Sequence, residues 1–271
     1  MLKKILIKTP EQVECIRKSC ELASMTLDYL QPLVQPGVST NELNDKAAIF
    51  IKDHGATSAC KGYRGFPKET CISINETICH GIPSDKRLKD GDIVKIDVTT
   101  ILNGYYGDTC RTFEVGNISK EASDLISIAK SCLDMGIIQV KPHASFDSIS
   151  EAITLYAESN GYSVVNQFCG HGTGIEFHEP PQLDHHHSPS SRYSKGFIFP
   201  IMEKMKVGMI FTIEPMINQG EPEGAILEDK WTAVTCDGKL SAQFEHTVVV
   251  VEDGFQILTT SGICCPNRLR V

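Results

Sequence analysis

One tryptophan, few aromatic residues (7%) and no long apolar run distinguish this 271-residue chain. The missing run excludes a transmembrane helix, which needs about 20 consecutive apolar residues. An excess of positive charge is missing too: 26 Lys and Arg stand against 34 Asp and Glu, a net charge of −8. That balance argues against general binding to nucleic acid or to an anionic membrane surface. The opening stretch, MLKKILIKTPEQ, is basic, but its apolar run is too short and too interrupted for a signal-peptide core. The eleven cysteines do not form a disulfide framework, being odd in number, scattered, and in several cases set within apolar strands. They read as thiols in a reducing cytoplasm. Hydrophobic content of 41% and charged content of 22% are ordinary for a soluble globular protein with a substantial core.

The first helix is signalled by Thr9 as cap, Pro10 at the first helical position and Gln12 as the reciprocal partner. Val13, Ile16, Cys20, Ala23, Leu27 and Leu30 then follow at three- and four-residue steps and form one buried stripe. A second helix begins after Ser39, with Glu42 as its box partner, and stops near Gly55. Strands follow in TCISINETICHG and in a hairpin around Asn103-Gly104, the strongest short turn signal in the chain. The order then repeats: helices over about 119–140 and 145–159, and strands in YSVVNQF, MIFTIEPMI, KWTAVT and QFEHTVVVVED. Gly91 precedes Asp97 by six residues, as Gly208 precedes Glu214, a short echo of internal duplication. The expected organisation is a single catalytic domain over 1–271, with halves of about 9–116 and 117–260. An exposed insertion at about 184–200 and a tail at 261–271 complete it.

Five residues point to chemistry: Asp97, Asp108, His171, Glu214 and Glu245. Asp97 lies in the apolar run DIVKIDVTT, Glu214 in GMIFTIEPMI, and Glu245 at the start of an apolar strand. Burying an unpartnered carboxylate costs several kcal/mol, so each needs a cation, and a metal is the economical one. The two-residue hairpin loop pairs Thr99 with Asp108 and Asp97 with Cys110, which makes the two aspartates diagonal neighbours on one face. Their Cβ atoms then lie roughly 7–8 Å apart, a span that suits two ions about 3.5–4 Å apart. His171 sits in the glycine-rich turn Gly170–Gly174, and His178 follows in EFHEPP. Four carboxylates and an imidazole make a hard oxygen and nitrogen donor set rather than a thiolate zinc site. Two features are set aside. The tract Asp184-His185-His186-His187 lies in a stretch rich in Ser and Pro and reads as solvated surface. Cys264 and Cys265 are adjacent, a poor geometry for a disulfide.

Taken together, the motifs resemble type I methionine aminopeptidase. They are Cys-His80-Gly-Ile-Pro, Lys-Ile-Asp97-Val with Gly-Asp108-Thr, Gly-His171-Gly with Phe-His178-Glu, Thr-Ile-Glu214-Pro-Met, and Glu245-His-Thr, in family order over about residues 8–260. The resemblance implies an α+β pita-bread fold, two pseudo-symmetric halves of paired helices and antiparallel sheet around a dinuclear metal site. By motif, Asp97, Asp108, His171, Glu214 and Glu245 are the metal ligands, with two divalent ions drawn from Co, Mn, Fe, Ni or Zn. Glu214 doubles as general base towards a metal-activated water, His178 faces the scissile carbonyl, and His80 serves the leaving nitrogen. Cys60, Tyr63, Phe66, Cys71, Phe177 and Trp231 match the methionine pocket, with Phe66 where Tyr is common. The implied activity is removal of the initiator methionine from nascent chains with a small second residue. It would be carried out in the cytoplasm by a monomer in transient contact with the ribosome. Alternative readings are a proline-specific aminopeptidase of the same fold, or a non-catalytic peptide-binding member.

Overall fold

The computed structural model describes residues 4–187 and 204–260. Cys264, Cys265 and residues 188–200 of the expected insertion lie outside them. In the first half, Thr9 and Gln12 exchange both capping hydrogen bonds at the start of α1, Pro10–Leu30. Ser39 and Glu42 do the same for α2, Thr40–Asp53. Three short strands follow, β1 (Thr57–Ser58), β2 (Cys71–Ile74) and β3 (Thr77–Cys79). The hairpin of β4 (Ile93–Leu102) and β5 (Tyr105–Glu114) then turns at Asn103 and Gly104, both with positive φ. Its register is the one the two-residue loop requires, Thr99 opposite Asp108 and Asp97 opposite Cys110. β4 is central in a four-stranded sheet, with β5 on one side and β2 and β1 on successive stretches of the other. α1 crosses this hairpin so closely that a Cβ at Gly107 would lie 2.2 Å from the Cys20 nitrogen. Leu27, Leu43, Ile51, Ile72, Val94, Ile96 and Val98 close the first core. Truncating one such buried leucine to alanine typically costs about 2–5 kcal/mol.

The second half repeats the plan. Ser119 caps α3 (Lys120–Ile137), which packs against α4 (Asp147–Ser159). The strands are β6 (Ser163–Val164), β7 (Cys169–Gly172), β8 (Glu179–Asp184), β9 (Ile210–Ile213), β10 (Met216–Asn218) and β11 (Gly224–Ile226). β12 (Ala233–Thr235), β13 (Ser241–Gln243), β14 (His246–Val251) and β15 (Gly254–Ile257) complete them. The main sheet runs β15-β14-β9-β7-β8, and two three-stranded sheets run β13-β10-β6 and β11-β12-β3. A second core gathers Leu125, Leu133, Ile149, Ile153, Phe211, Ile213 and Val248. No described helix is long and apolar enough to cross a membrane.

The apolar patterns of MIFTIEPMI and QFEHTVVVVED each suggest one continuous strand, yet each breaks at its glutamate. β9 pairs with β14 and β10 pairs with β13, so both chains leave one sheet and enter another at the same level. Pro215 has no N–H to offer a ladder. The Glu245 N–H donates instead to Cys110 O (2.9 Å), and its carbonyl accepts from Thr109 Oγ1 (2.7 Å). Three more bonds continue this seam between the halves: Thr112 Oγ1 to Gln243 O (2.7 Å), Gln243 N to Thr112 Oγ1 (3.0 Å), and Thr247 Oγ1 to Asp108 O (2.8 Å). The fully buried Lys95 also spans it, its ammonium on Asn75 O (2.8 Å) and Ser241 O (2.7 Å).

Candidate metal centre and adjoining pocket

The four acidic residues and His171 converge where the seam passes between the halves. Asp97 and Asp108 project from the hairpin, while Glu214 and Glu245 project from the two strand breaks. Carboxylate oxygens of Asp97, Asp108 and Glu245 all lie within 4.8 Å of one another. His171, on β7, brings Nε2 to 3.7 Å from Asp108 Oδ2 and 3.7 Å from Glu214 Oε1. Side chains around them fix their aim. Thr99 Oγ1 donates to Asp108 Oδ1 (2.7 Å), Thr212 Oγ1 donates to Glu214 Oε1 (2.7 Å), and Gln243 Nε2 reaches Glu214 Oε2 (3.5 Å).

Electrostatics show what the cluster lacks. Burial raises Asp108 to about 7 and Glu214 to about 8. Burial followed by the neighbouring carboxylates lifts Asp97 and Glu245 well above the usual range. Among the described residues none of the four is ion-paired with Lys or Arg, and the Asp97 Oδ1 atom is covered with no hydrogen-bond partner. Lys95, two residues from Asp97 on the same strand, spends its ammonium on backbone carbonyls, and burial lowers it to about 7. His171, lowered by burial to about 4, is a neutral imidazole with its Nδ1 on Gly172 O at 3.0 Å. A free imidazole nitrogen facing carboxylates with no counter-charge is a donor set that fits divalent metal.

Beside the cluster lies a packed group of thiols and rings. Cys60, Phe66 and Cys71 are buried and packed with Phe177 and Trp231, five of the six residues expected from the sequence. Tyr63, the sixth, has its ring 4.8 Å from Phe177 and stacked on His178 at 5.0 Å. Phe66 meets Trp231 edge to face at 5.2 Å, so the aromatic contact survives without a hydroxyl. Cys60 Sγ lies 3.9 Å from Thr99 Oγ1, which in turn bonds Asp108, so this group reaches the acid cluster through one threonine. The His178 ring is 4.1 Å from that of His171, and burial followed by the charge of neighbouring groups lowers its pKa to about 3. His80 sits just past β3 with φ of 56°, its ring edge-on to Phe168 (5.4 Å) and Trp231 (6.2 Å) and its pKa lowered by burial. A non-glycine residue held at positive φ costs of order 1–3 kcal/mol, and such positions cluster at functional sites. Lys8 and Glu179, the residue after His178, form a buried ion pair at 2.5 Å.

Sequence reasoning missed Ile82, which joins this group, and the orienting residues Thr99, Thr212 and Gln243. It also misjudged the histidine tract. His185 is not solvated surface: it is 3% exposed and accepts the Glu214 N–H on Nε2 at 3.1 Å. The alternation of β8 explains this, since Pro181, Leu183 and then His185 fall on its inward face while Gln182 and Asp184 face out. His186 and His187 are half-buried rather than exposed.

Comparison with known proteins converges on one family. The profile of metallopeptidase family M24 matches residues 14–252. Methionine aminopeptidase A of Synechocystis is 50% identical over 256 residues, covering 94% of this chain and 97% of its own. The methionine aminopeptidase of Escherichia coli K12 is 46% identical over 257 residues, covering 94% of each. The crystal structure of methionine aminopeptidase from Rickettsia prowazekii superposes with a TM-score of 0.89 at 43% identity, covering 95% of this chain and all of the other. With the pita-bread architecture and the converging acids, this shows that the chain belongs to metallopeptidase family M24, among the methionine aminopeptidases of type I.

Proposed function

We propose that this chain removes the initiator methionine from new polypeptides, as a metal-dependent hydrolase. The observation that carries the reading is the contact between the acid cluster and the pocket. Cys60, Thr99 and Asp108 form one chain of contacts from the pocket floor to the cluster. A methionine side chain seated among thiols and rings there makes favourable sulfur–aromatic contacts, and its scissile bond falls beside the ligands.

Asp97, Asp108, His171, Glu214 and Glu245 would hold two divalent ions from among Co, Mn, Fe, Ni and Zn. When bound, such ions supply a water of lowered pKa and polarise the scissile carbonyl. Glu214, aimed by Thr212 and Gln243, takes the proton from the attacking water. His178 is neutral near pH 7 and donates a hydrogen bond to the carbonyl oxygen as negative charge develops there. His80, facing Trp231 at the pocket wall, assists proton delivery to the leaving amide nitrogen. The proposed specificity includes a preference for a small second residue. Action on nascent chains implies a cytoplasmic monomer in transient contact with the ribosome.

Hydrolysis of Met-Ala-Ser against Pro-headed and Leu-headed peptides tests this, with each candidate metal added to chelated enzyme. Cleavage of Met-Ala-Ser alone supports the reading. Preference for a penultimate proline would move the chain to the proline-specific branch of the fold, and metal without turnover would leave a binding module.

A further inference from the structure

The backbone at Glu214 poses a problem that its ladder does not solve. β9 ends at Ile213, opposite His246, and the next residue able to pair is Met216, because Pro215 carries no N–H. The Glu214 N–H is left inside the protein with no strand partner, and a buried backbone donor left unpaired is costly. His185, at the last inward position beyond β8, supplies the acceptor through Nε2 at 3.1 Å.

We propose that His185 is a positioning residue for the reaction: as the tautomer with hydrogen on Nδ1, it receives the Glu214 N–H and fixes the backbone from which that carboxylate projects. Two independent features show a place built for this ring. A Cβ at Gly170 would lie 2.6 Å from Thr212 O, 3.0 Å from His185 Cε1 and 3.2 Å from Nε2, so a side chain there would crowd both the strand and the imidazole. The backbone of the tract is held from the other side by α4, where Thr154 Oγ1 donates to His185 O (3.3 Å) and accepts from His187 N (2.8 Å). The ring touches the main chain of a residue whose side chain Thr212 and Gln243 already orient, so Glu214 is gripped at both ends. The histidine tract thus has one member that acts on the site through another residue.

This inference rests on the role proposed for Glu214, and the test separates the two. His185→Leu keeps volume and removes the acceptor, whereas His185→Gln keeps an amide oxygen near the Nε2 position. Losing a partner that orients a metal ligand typically costs about 10–100-fold in activity or metal affinity. On Met-Ala-Ser, His185→Leu should lower kcat by that factor with KM little changed, and His185→Gln should recover most of the loss. Nitrogen-15 imidazole spectra of wild-type protein loaded with diamagnetic zinc should show His185 Nε2 unprotonated and coupled to the Glu214 amide. Equal kcat losses in the Leu and Gln variants at matched thermal midpoints would reduce His185 to a packing residue and overturn the proposal. A protonated Nε2 would overturn it directly, as would an unchanged kcat in His185→Leu. A wild-type protein that fails to cleave Met-Ala-Ser would refute the proposed activity, and the spectrum would still decide the hydrogen bond.

Discussion

Loading the metal centre should expel protons, and the structure gives a lower bound on their number. At pH 7.5 a carboxyl with a pKa of about 7, as at Asp108, keeps about a quarter of a proton. One at about 8, as at Glu214, keeps about three quarters. Asp97 and Glu245, also raised by burial and by their acidic neighbours, add to this, and the protons belong to the cluster as a whole. His171 contributes none, because at about 4 it is already neutral. Binding of divalent metal should therefore release at least about one proton at pH 7.5, and the metal affinity should rise at least about 10-fold per pH unit there. The sign for folding follows from the same shifts. Without metal, the folded protein binds more protons at these four groups than the unfolded chain does. They therefore withdraw stability as pH climbs from the ordinary carboxyl range towards 8, and loading reverses that trend. The assay is calorimetric titration of chelator-treated protein with manganese(II) in buffers of different ionisation enthalpy, at pH 6.5, 7.5 and 8.5. Protons from the carboxyls should diminish as pH rises, whereas a proton from a metal-bound water would not. Asp108→Asn should lower the affinity, the count and the activity together. Release of fewer than about half a proton at pH 7.5 would refute the picture of an uncompensated acid cluster.

His178→Ala should depress kcat by about 10²–10³ with KM nearly unchanged and metal retained, as for loss of one oxyanion donor. His80→Ala should show the same pattern, and loss of metal from either variant would contradict the roles assigned. Lys8→Met strands the buried Glu179 carboxylate, at a cost of about 3–5 kcal/mol. The thermal midpoint should fall by about 10 °C, and a change under about 2 °C would show that the pair is inert. Trp231 is the chain's one tryptophan and touches both Phe66 and His80, so a saturating methionine-mimicking ligand should change its fluorescence. An unchanged spectrum would remove it from the pocket.

Much of this architecture was legible in the chain because local chemistry decided it. The two reciprocal caps and the Asn103-Gly104 turn depend on neighbours in sequence, and the turn alone determines which residues face Asp97 and Asp108. The strand break at Glu214 had a local signal in Pro215 that the apolar pattern outweighed, whereas the break at Glu245 was not legible. Its cause is long-range, since the Glu245 backbone is claimed by Cys110 and Thr109 in the other half. His185 failed for a different reason. Its tract looks hydrophilic by composition, while the period-two pattern Pro181, Leu183, His185 was available and outweighs composition in a strand. Thr99, Thr212 and Gln243 carried no signal, because small polar residues in apolar strands do not announce which carboxylate they will meet.

The threonine seam has a consequence for how the two halves are indexed. A β-ladder can slip by two residues and still satisfy its hydrogen bonds with the same face inward, so a ladder alone leaves alternative registers open. Hydroxyl groups at Thr109, Thr112 and Thr247 work as pegs. Each meets one carbonyl of the facing segment, and a slip of two residues would break all three bonds at once. Asp108 and Glu245 lie between these pegs, on opposite sides of the joint, so their separation is set before any ion arrives. A centre assembled from two separately packed bodies would otherwise inherit the play between them, and a productive site tolerates only about 0.5 Å. Here the play is taken up by three hydroxyls.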